Sequence, residues 1–344
     1  MDTKRLSILA QYEGISMISV LTNDGKIRNV EQFVLDVVST MQTDGYARIT
    51  LMSEGPCCNH VGIYSVLDRI CCQFTLDKRR ISITTPNLLE THPEYYIRHD
   101  FNFWELEQAI VNSKKFTATD KLFDADFKHF GNFIGHSNKY RLYTSSQLRA
   151  HYTDKTLQSY HSSATEPYHR EYIGLEDLMF VGANTTTLDA AYEHIKQAPI
   201  TLDEIDSFPI LQPANINILK FYPKFFVEIV NLTFFSGTTF YVDEKIWRPM
   251  LALTPFMVQG PANLIKNLRR IGFQTFHSWW DEGYSEDPDD CQVDYMFDNI
   301  SKLSRLSIWE LQSMYNDMLP TLEHNRNLLL SLTKTQVENT FNDK

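Results

Sequence analysis

Residues 226–261 read FVEIVNLTFFSGTTFYVDEKIWRPMLALTPFMVQGP. Phe225 to Val230 is apolar at every position but Glu228, which predicts a strand. Ser236-Gly237 marks a turn, and Asp243 is a good helix N-cap, so a helix should run from there to Leu253. Pro249 inside it removes one helical hydrogen bond and predicts a kink. Pro255-Phe-Met-Val-Gln259 then predicts a second strand, ending at Gly260-Pro261. Strand, helix, strand is the pattern of a parallel sheet with helices on its faces.

The same alternation recurs upstream. Asn132-Phe-Ile-Gly135 predicts a strand, the stretch carrying Leu142 and Leu148 a helix, and Lys155 to Tyr160 the next strand. Earlier still, Ala47 to Met52 reads as a strand, Val61, Tyr64, Leu67 and Ile70 share a helix face, and Ile81 to Thr84 reads as a strand before Pro86. Tyr95 to Arg98 adds another. The leucines from 303 to 332 predict a helical tail. At 344 residues the chain is long enough for two domains. We expect an α/β protein with a first Rossmann-like domain over 1–127 and a second over 128–344, the latter carrying the helical tail.

Composition narrows the possibilities. Hydrophobic residues make up 43% and charged residues 22%, as in ordinary globular proteins. No stretch approaches the about 18 apolar residues of a bilayer helix, because Lys224 and Glu228 interrupt the densest one. The opening MDTKRLSILAQYEG lacks the apolar core of a signal peptide, so a cytoplasmic, monomeric protein without a membrane partner is expected. Five cysteines without an export signal predict reduced thiols. Cys57-Cys58, Cys71-Cys72 and His60 lack the gap that lets both thiolates reach one zinc easily. The net charge of −11 opposes a surface that attracts nucleic acid as a whole. It leaves room for a local basic cleft in 77–151, where eleven Lys/Arg and five His stand beside nine Asp/Glu.

In open α/β sheets, ligands bind beyond the carboxyl ends of strands, where helix N-termini offer free N–H groups. Two segments fit. One is Gly135-His136-Ser137-Asn138-Lys139-Tyr140-Arg141, where a strand ends and a helix begins. The other is the Asp243 helix start, with Glu244, Lys245 and Arg248 in its first turns. Basic groups there oppose the helix dipole, which points to an anionic partner. Glu228, a charge inside an apolar strand, needs a partner, with Lys245 a candidate. Tyr241 and Phe240 are aromatic candidates for flanking a ligand.

The order of a strand with Glu228, a turn, an aromatic, Glu244-Lys245, an apolar helix and Pro255 resembles the donor-binding motif of α1,3-fucosyltransferase-like enzymes. Gly135 to Arg141 resembles the opening of their C-terminal domain. The likeness covers Phe130 to Pro261, with Asp243 where that family has threonine and Gln259-Gly260-Pro261 where it has an apolar residue and glycine. The whole chain also resembles proteins of tailed bacteriophages and large DNA viruses, through Ser53-Glu-Gly-Pro56, Asn87-Leu-Leu-Glu90, Gly272-Phe-Gln-Thr-Phe276 and Trp280-Asp-Glu282. Glycosyltransferases that modify 5-hydroxymethylcytosine in DNA belong to that setting.

The resemblance implies a GT-B fold with two Rossmann-like domains and an inverting glycosyltransferase. It would use a UDP- or GDP-linked sugar as donor and require no metal cofactor. By the same resemblance, Arg141, Glu244 and Lys245 contact the diphosphate and ribose, within a donor set of Gly135, His136, Ser137, Asn138, Arg141, Glu228, Tyr241, Glu244, Lys245 and Arg248. An acid of the first domain then takes the acceptor's proton: Glu54 first, with Asp100 and Glu90 in reserve. The acceptor implied is a hydroxymethylated base in double-stranded viral DNA, and the alternative is a glycan. Two other readings compete. Asp124-Ala-Asp126 or Asp287-Pro-Asp289 would suit a manganese-dependent GT-A enzyme, and the basic strip of 77–151 a non-catalytic nucleic-acid or protein-binding module.

Overall fold

The computed structural model describes residues 5–8, 11–12, 15–16, 30–51, 55–101, 107, 110–111, 120–135, 137–161, 185–202, 216–233, 237–283 and 289–342. Glu54 and His136 lie outside them. The chain is α/β and forms two compact units. The first comprises 1–102, 233–241 and 333–344, and the second 103–232 and 242–332. The division falls earlier than the expected 127/128 boundary, and two later segments belong with the first unit.

In the first unit, β1 (Arg5–Ile8), β4 (Ala47–Leu51), β5 (Ile81–Thr85) and β6 (Tyr96–His99) form a parallel sheet in that order. A short antiparallel pair, β2 (Gln11–Tyr12) and β3 (Ile15–Ser16), follows β1. Helices α1 (Val30–Asp44) and α2 (Ile63–Phe74) supply Val37, Leu67 and Ile70 to a core shared with Ile49, Ile81 and Ile83. Residues 237–241 are held here by Asn87, whose Oδ1 accepts from Phe240 N (2.8 Å) and whose Nδ2 donates to Thr238 O (3.0 Å). Helix α9 (Lys334–Asn342) joins through Glu338, which accepts from Phe101 N, and through Phe341 stacked on Phe240.

The second unit contains a parallel sheet in the order β10 (Phe256–Gln259), β9 (Phe225–Asn231), β7 (Lys128–Ile134), β8 (Thr156–Tyr160). All seven residues of β9 are buried, as expected of a central parallel strand covered on both faces. Gly131 is required where β7 meets β9, since a Cβ there would stand 2.6 Å from the Phe225 ring. Helix α3 (Lys139–Tyr152) connects β7 to β8, and α5 (Glu244–Leu251) connects β9 to β10. The two crossovers leave the central pair in opposite directions, which makes β7/β9 the topological switch point.

Successive residues of β7 point to opposite faces. Ile134 packs with Leu142 of α3 and Ala191 of α4 (Thr185–Lys196). Phe133 packs with Leu219, Tyr222 and Phe225 of the other layer, where the 3-10 helix Ile216–Lys224 lies. Helices α6 (Leu264–Ile271), α7 (Asp289–Leu303) and α8 (Ile308–Ser331) complete the unit, α8 opening on a Ser307/Glu310 capping box.

Candidate functional site

The two helices that follow the central strands of the second unit carry most of the expected donor residues. Asn138 caps α3, accepting from Arg141 N (2.9 Å), and Ser137 shares a 2.6 Å hydrogen bond with the Tyr160 hydroxyl. Both side chains are thus used in shaping the turn. Gly135 follows the last residue of β7 and is partly buried. Arg141 is 5% exposed, and its charge acts on both Asp243 and Lys245. The sheet therefore brings together groups about a hundred positions apart in the chain.

At the start of α5, Asp243 is fully buried and accepts from Lys245 N (3.0 Å) as N-cap. The same carboxylate takes the Lys245 ammonium at 2.6 Å, and Glu244 takes it at 2.9 Å. Lys245 folds back onto its own helix start. Burial acts against its charge, but the two carboxylates outweigh it and hold the ammonium above its ordinary pKa. Burial likewise opposes the Glu244 charge, yet Lys245 and Arg248 bring that carboxyl down to about 2. Pro249 falls near the end of this eight-residue helix, which stops at Leu251.

Glu228 lies deeper. It accepts from the Tyr222 hydroxyl at 2.7 Å and stands 4.0 Å from Arg248 Nη2. Its partners are these two, and not Lys245. Burial raises its pKa to about 7 in spite of Arg248, Tyr222 and Lys121. Lys121 does not bond to it directly: its ammonium donates to Tyr222 O (2.7 Å), Phe225 O (2.6 Å) and Thr254 Oγ1 (2.8 Å). Arg248 Nε has no hydrogen-bond partner among the described residues.

A polar row that the sequence reading did not single out as a site crosses the sheet near the carboxyl ends. Each strand gives one amide side chain: Gln158, Asn132, Asn231 and Gln259. Asn132 Nδ2 donates to Asn231 Oδ1 (3.1 Å), and Asn231 Nδ2 to Gln259 Oε1 (2.6 Å), which also accepts from the Thr144 hydroxyl of α3 (3.0 Å). Gln158 Nε2 reaches Ser145 O (2.8 Å). The available signal was polar residues inside strands otherwise composed of buried apolar ones.

The first-unit candidates divide differently. Glu90 is buried and fully used, accepting from Cys58 N (2.9 Å), the Tyr64 hydroxyl (2.8 Å) and Asn87 Nδ2 (3.2 Å). Asp100 is exposed and paired with Lys334. Tyr241 is buried, at 3% exposure, and is the last residue of the 233–241 segment that belongs to this unit. The basic run Lys78-Arg79-Arg80 precedes β5, at the amino edge of the sheet, away from the edge where ligands bind. Lys78 is neutralised by Asp68 and Glu94, and Arg79 by Asp77. Arg80 instead donates to Gly45 O.

Of the Asp-x-Asp pairs, Asp124 accepts from Asp126 N (3.0 Å) in a local turn, and Asp287 lies outside the described residues. Among the described residues no cluster of His, Cys, Asp or Glu has metal-binding geometry, and no helix is long and apolar enough to cross a membrane. Glu282 of the Trp-Asp-Glu segment closes its own loop by accepting from Phe276 N and Thr275 Oγ1, both at 2.7 Å. Comparison with family models, curated proteins and solved structures found no match.

Proposed function

We propose that this chain is an inverting glycosyltransferase of GT-B type that transfers a sugar from a nucleotide-diphosphate donor. The observation that carries the reading is the nearness of Arg141, from the helix after β7, to the Asp243–Lys245 ion pair at the start of the helix after β9, beside the switch point of a parallel sheet. Two helix N-termini and these cations suit a diphosphate whose bond to the sugar is breaking. An acceptor hydroxyl oxygen attacks the anomeric carbon, the carbon–oxygen bond to the diphosphate breaks, and a carboxylate takes the hydroxyl proton. Glu90 is committed to its hydrogen bonds, which leaves Glu54 as the proposed base and Asp100 as the reserve.

The viral resemblance suggests hydroxymethylated DNA as acceptor. The neutralised Lys78-Arg79 run favours the second reading, an uncharged glycan hydroxyl. The test begins with binding of UDP, GDP, CDP, dTDP and their sugar conjugates, with and without EDTA. Arg141→Ala and Lys245→Ala should each weaken the bound diphosphate by roughly 1.5–3 kcal/mol, the worth of a charge-assisted contact. Unchanged affinity in both variants would remove the donor assignment. Transfer assays with hydroxymethylcytosine duplex and with oligosaccharides then decide the acceptor.

A further inference from the structure

Asp243 does more than cap its helix. A capping side chain needs one oxygen for the backbone N–H of N2 or N3, and Asp243 Oδ1 supplies it to Lys245 N at 3.0 Å. The other oxygen is spent on the Lys245 ammonium at 2.6 Å, inside a fully buried carboxylate. Glu244 Oε1 takes the same ammonium at 2.9 Å. Two carboxylates therefore already surround the lysine that the transferase reading gives to the diphosphate. One turn along, Arg248 is 7% exposed and its Nε has no hydrogen-bond partner among the described residues. The cationic groups are present, but the most accessible one is held by the chain's own anions.

We infer that Asp243 is an attenuator: it restrains Lys245 and lowers the site's affinity for diphosphate, so that the diphosphate product leaves readily. The inference rests on the transferase reading and deepens it. A phosphate approaching Lys245 meets a fixed negative charge next to the ammonium, and in a poorly solvated site such a charge acts strongly at these distances. To contact the phosphate fully, Lys245 must give up part of its hold on Asp243. A neutral cap would keep the helix start and remove both effects.

The variants Asp243→Asn and Asp243→Thr separate the two roles, because each retains an oxygen to cap Lys245 N. Both should keep the wild-type circular dichroism spectrum. The affinity for UDP, GDP or inorganic pyrophosphate, measured by calorimetry on the full chain, should rise roughly ten-fold or more. Adding Lys245→Met to Asp243→Asn should cancel the gain. A readout independent of ligand is acetylation of Lys245 at pH 8, followed by mass spectrometry. Loss of the Asp243 charge should speed it, since an ammonium left with Glu244 as its carboxylate partner gives up its proton more easily than one held by two.

Equal or weaker diphosphate affinity in both variants overturns the attenuator role alone. Unchanged Lys245 reactivity overturns the restraint on which it depends. Faster acetylation with no diphosphate bound by wild type or variant overturns the attenuator role together with the transferase reading.

Discussion

Replacing Glu228 by glutamine should change how the stability of the second unit depends on pH. The carboxyl is 2% exposed in the middle of β9. Its one close bond is from the neutral Tyr222 hydroxyl at 2.7 Å, whereas the Arg248 guanidinium stands 4.0 Å away and Lys121 spends its three protons on neutral oxygens. Burial therefore dominates, and the pKa rises from an ordinary 4.5 to about 7. Between those values the native chain holds a proton that the unfolded chain has released, so stability falls as pH rises.

The stabilisation is complete below pH 4.5 and lost by the time pH passes 7. At 1.36 kcal/mol per pH unit, a shift of that size is worth about 3 kcal/mol. Glutamine stays neutral and keeps an oxygen for Tyr222, so the variant should lack this slope. Urea denaturation of both proteins from pH 5 to pH 8 measures it, with fluorescence of the buried Trp247 and Trp280 reporting on this unit. Over that window the gap between the two stability curves should change by about 2.5 kcal/mol, wild type losing relative to Glu228→Gln as pH rises. Parallel curves would show that Glu228 is ionised throughout, and that Arg248 compensates the burial more fully than its 4.0 Å separation allows.

Two further outcomes are expected. Glu90→Ala should lower the unfolding free energy by about 1–3 kcal/mol, because the buried Cys58 N–H loses its acceptor, while diphosphate affinity stays unchanged; a wild-type melting temperature with lost turnover would make Glu90 the base instead. Gly131→Ala should cost about 1–3 kcal/mol by driving a methyl into the Phe225 ring, and calorimetric unfolding at the wild-type temperature would mean that the ring can move aside.

The strands around the switch point were legible in the sequence because buried parallel strands leave little room for polar residues. Phe225 to Val230 and Phe256 to Val258 show this directly. The segments that carry Arg141 and Lys245 were expected from the resemblance, and the Arg141 charge acts on Asp243 and Lys245. The partners of individual charges were not, since they depend on backbone paths that no periodicity records. Glu228 is met by Tyr222 because a 3-10 helix carries that ring back over the strand it precedes. Lys245 is bound by the residue two positions before it, a pairing that depends on the extended backbone of the N-cap. Within the basic stretch 77–151, Lys78 meets Asp68 and Glu94, ten and sixteen positions away, a pairing set by the packing of α2 and the approach to β6.

Charge balance in the second unit bears on the identity of the ligand. Lys121, Arg141, Lys245 and Arg248 face Glu228, Asp243 and Glu244 through a connected set of interactions, and five of the seven are less than 9% exposed. Buried ion pairs of this kind are weak contributors to stability, and apolar residues of similar volume would often serve it better. A perturbed, buried group among them is what binding and catalytic sites tend to contain. Burial pushes Lys121 well below its ordinary pKa and raises Glu228 to about 7. With both neutral, Arg141, Lys245 and Arg248 stand against Asp243 and Glu244. Under the proposed transferase reading, that single positive excess is smaller than the charge of a nucleoside diphosphate, and the Asp243 carboxylate, fixed 2.6 Å from the Lys245 ammonium, would work against retaining the product.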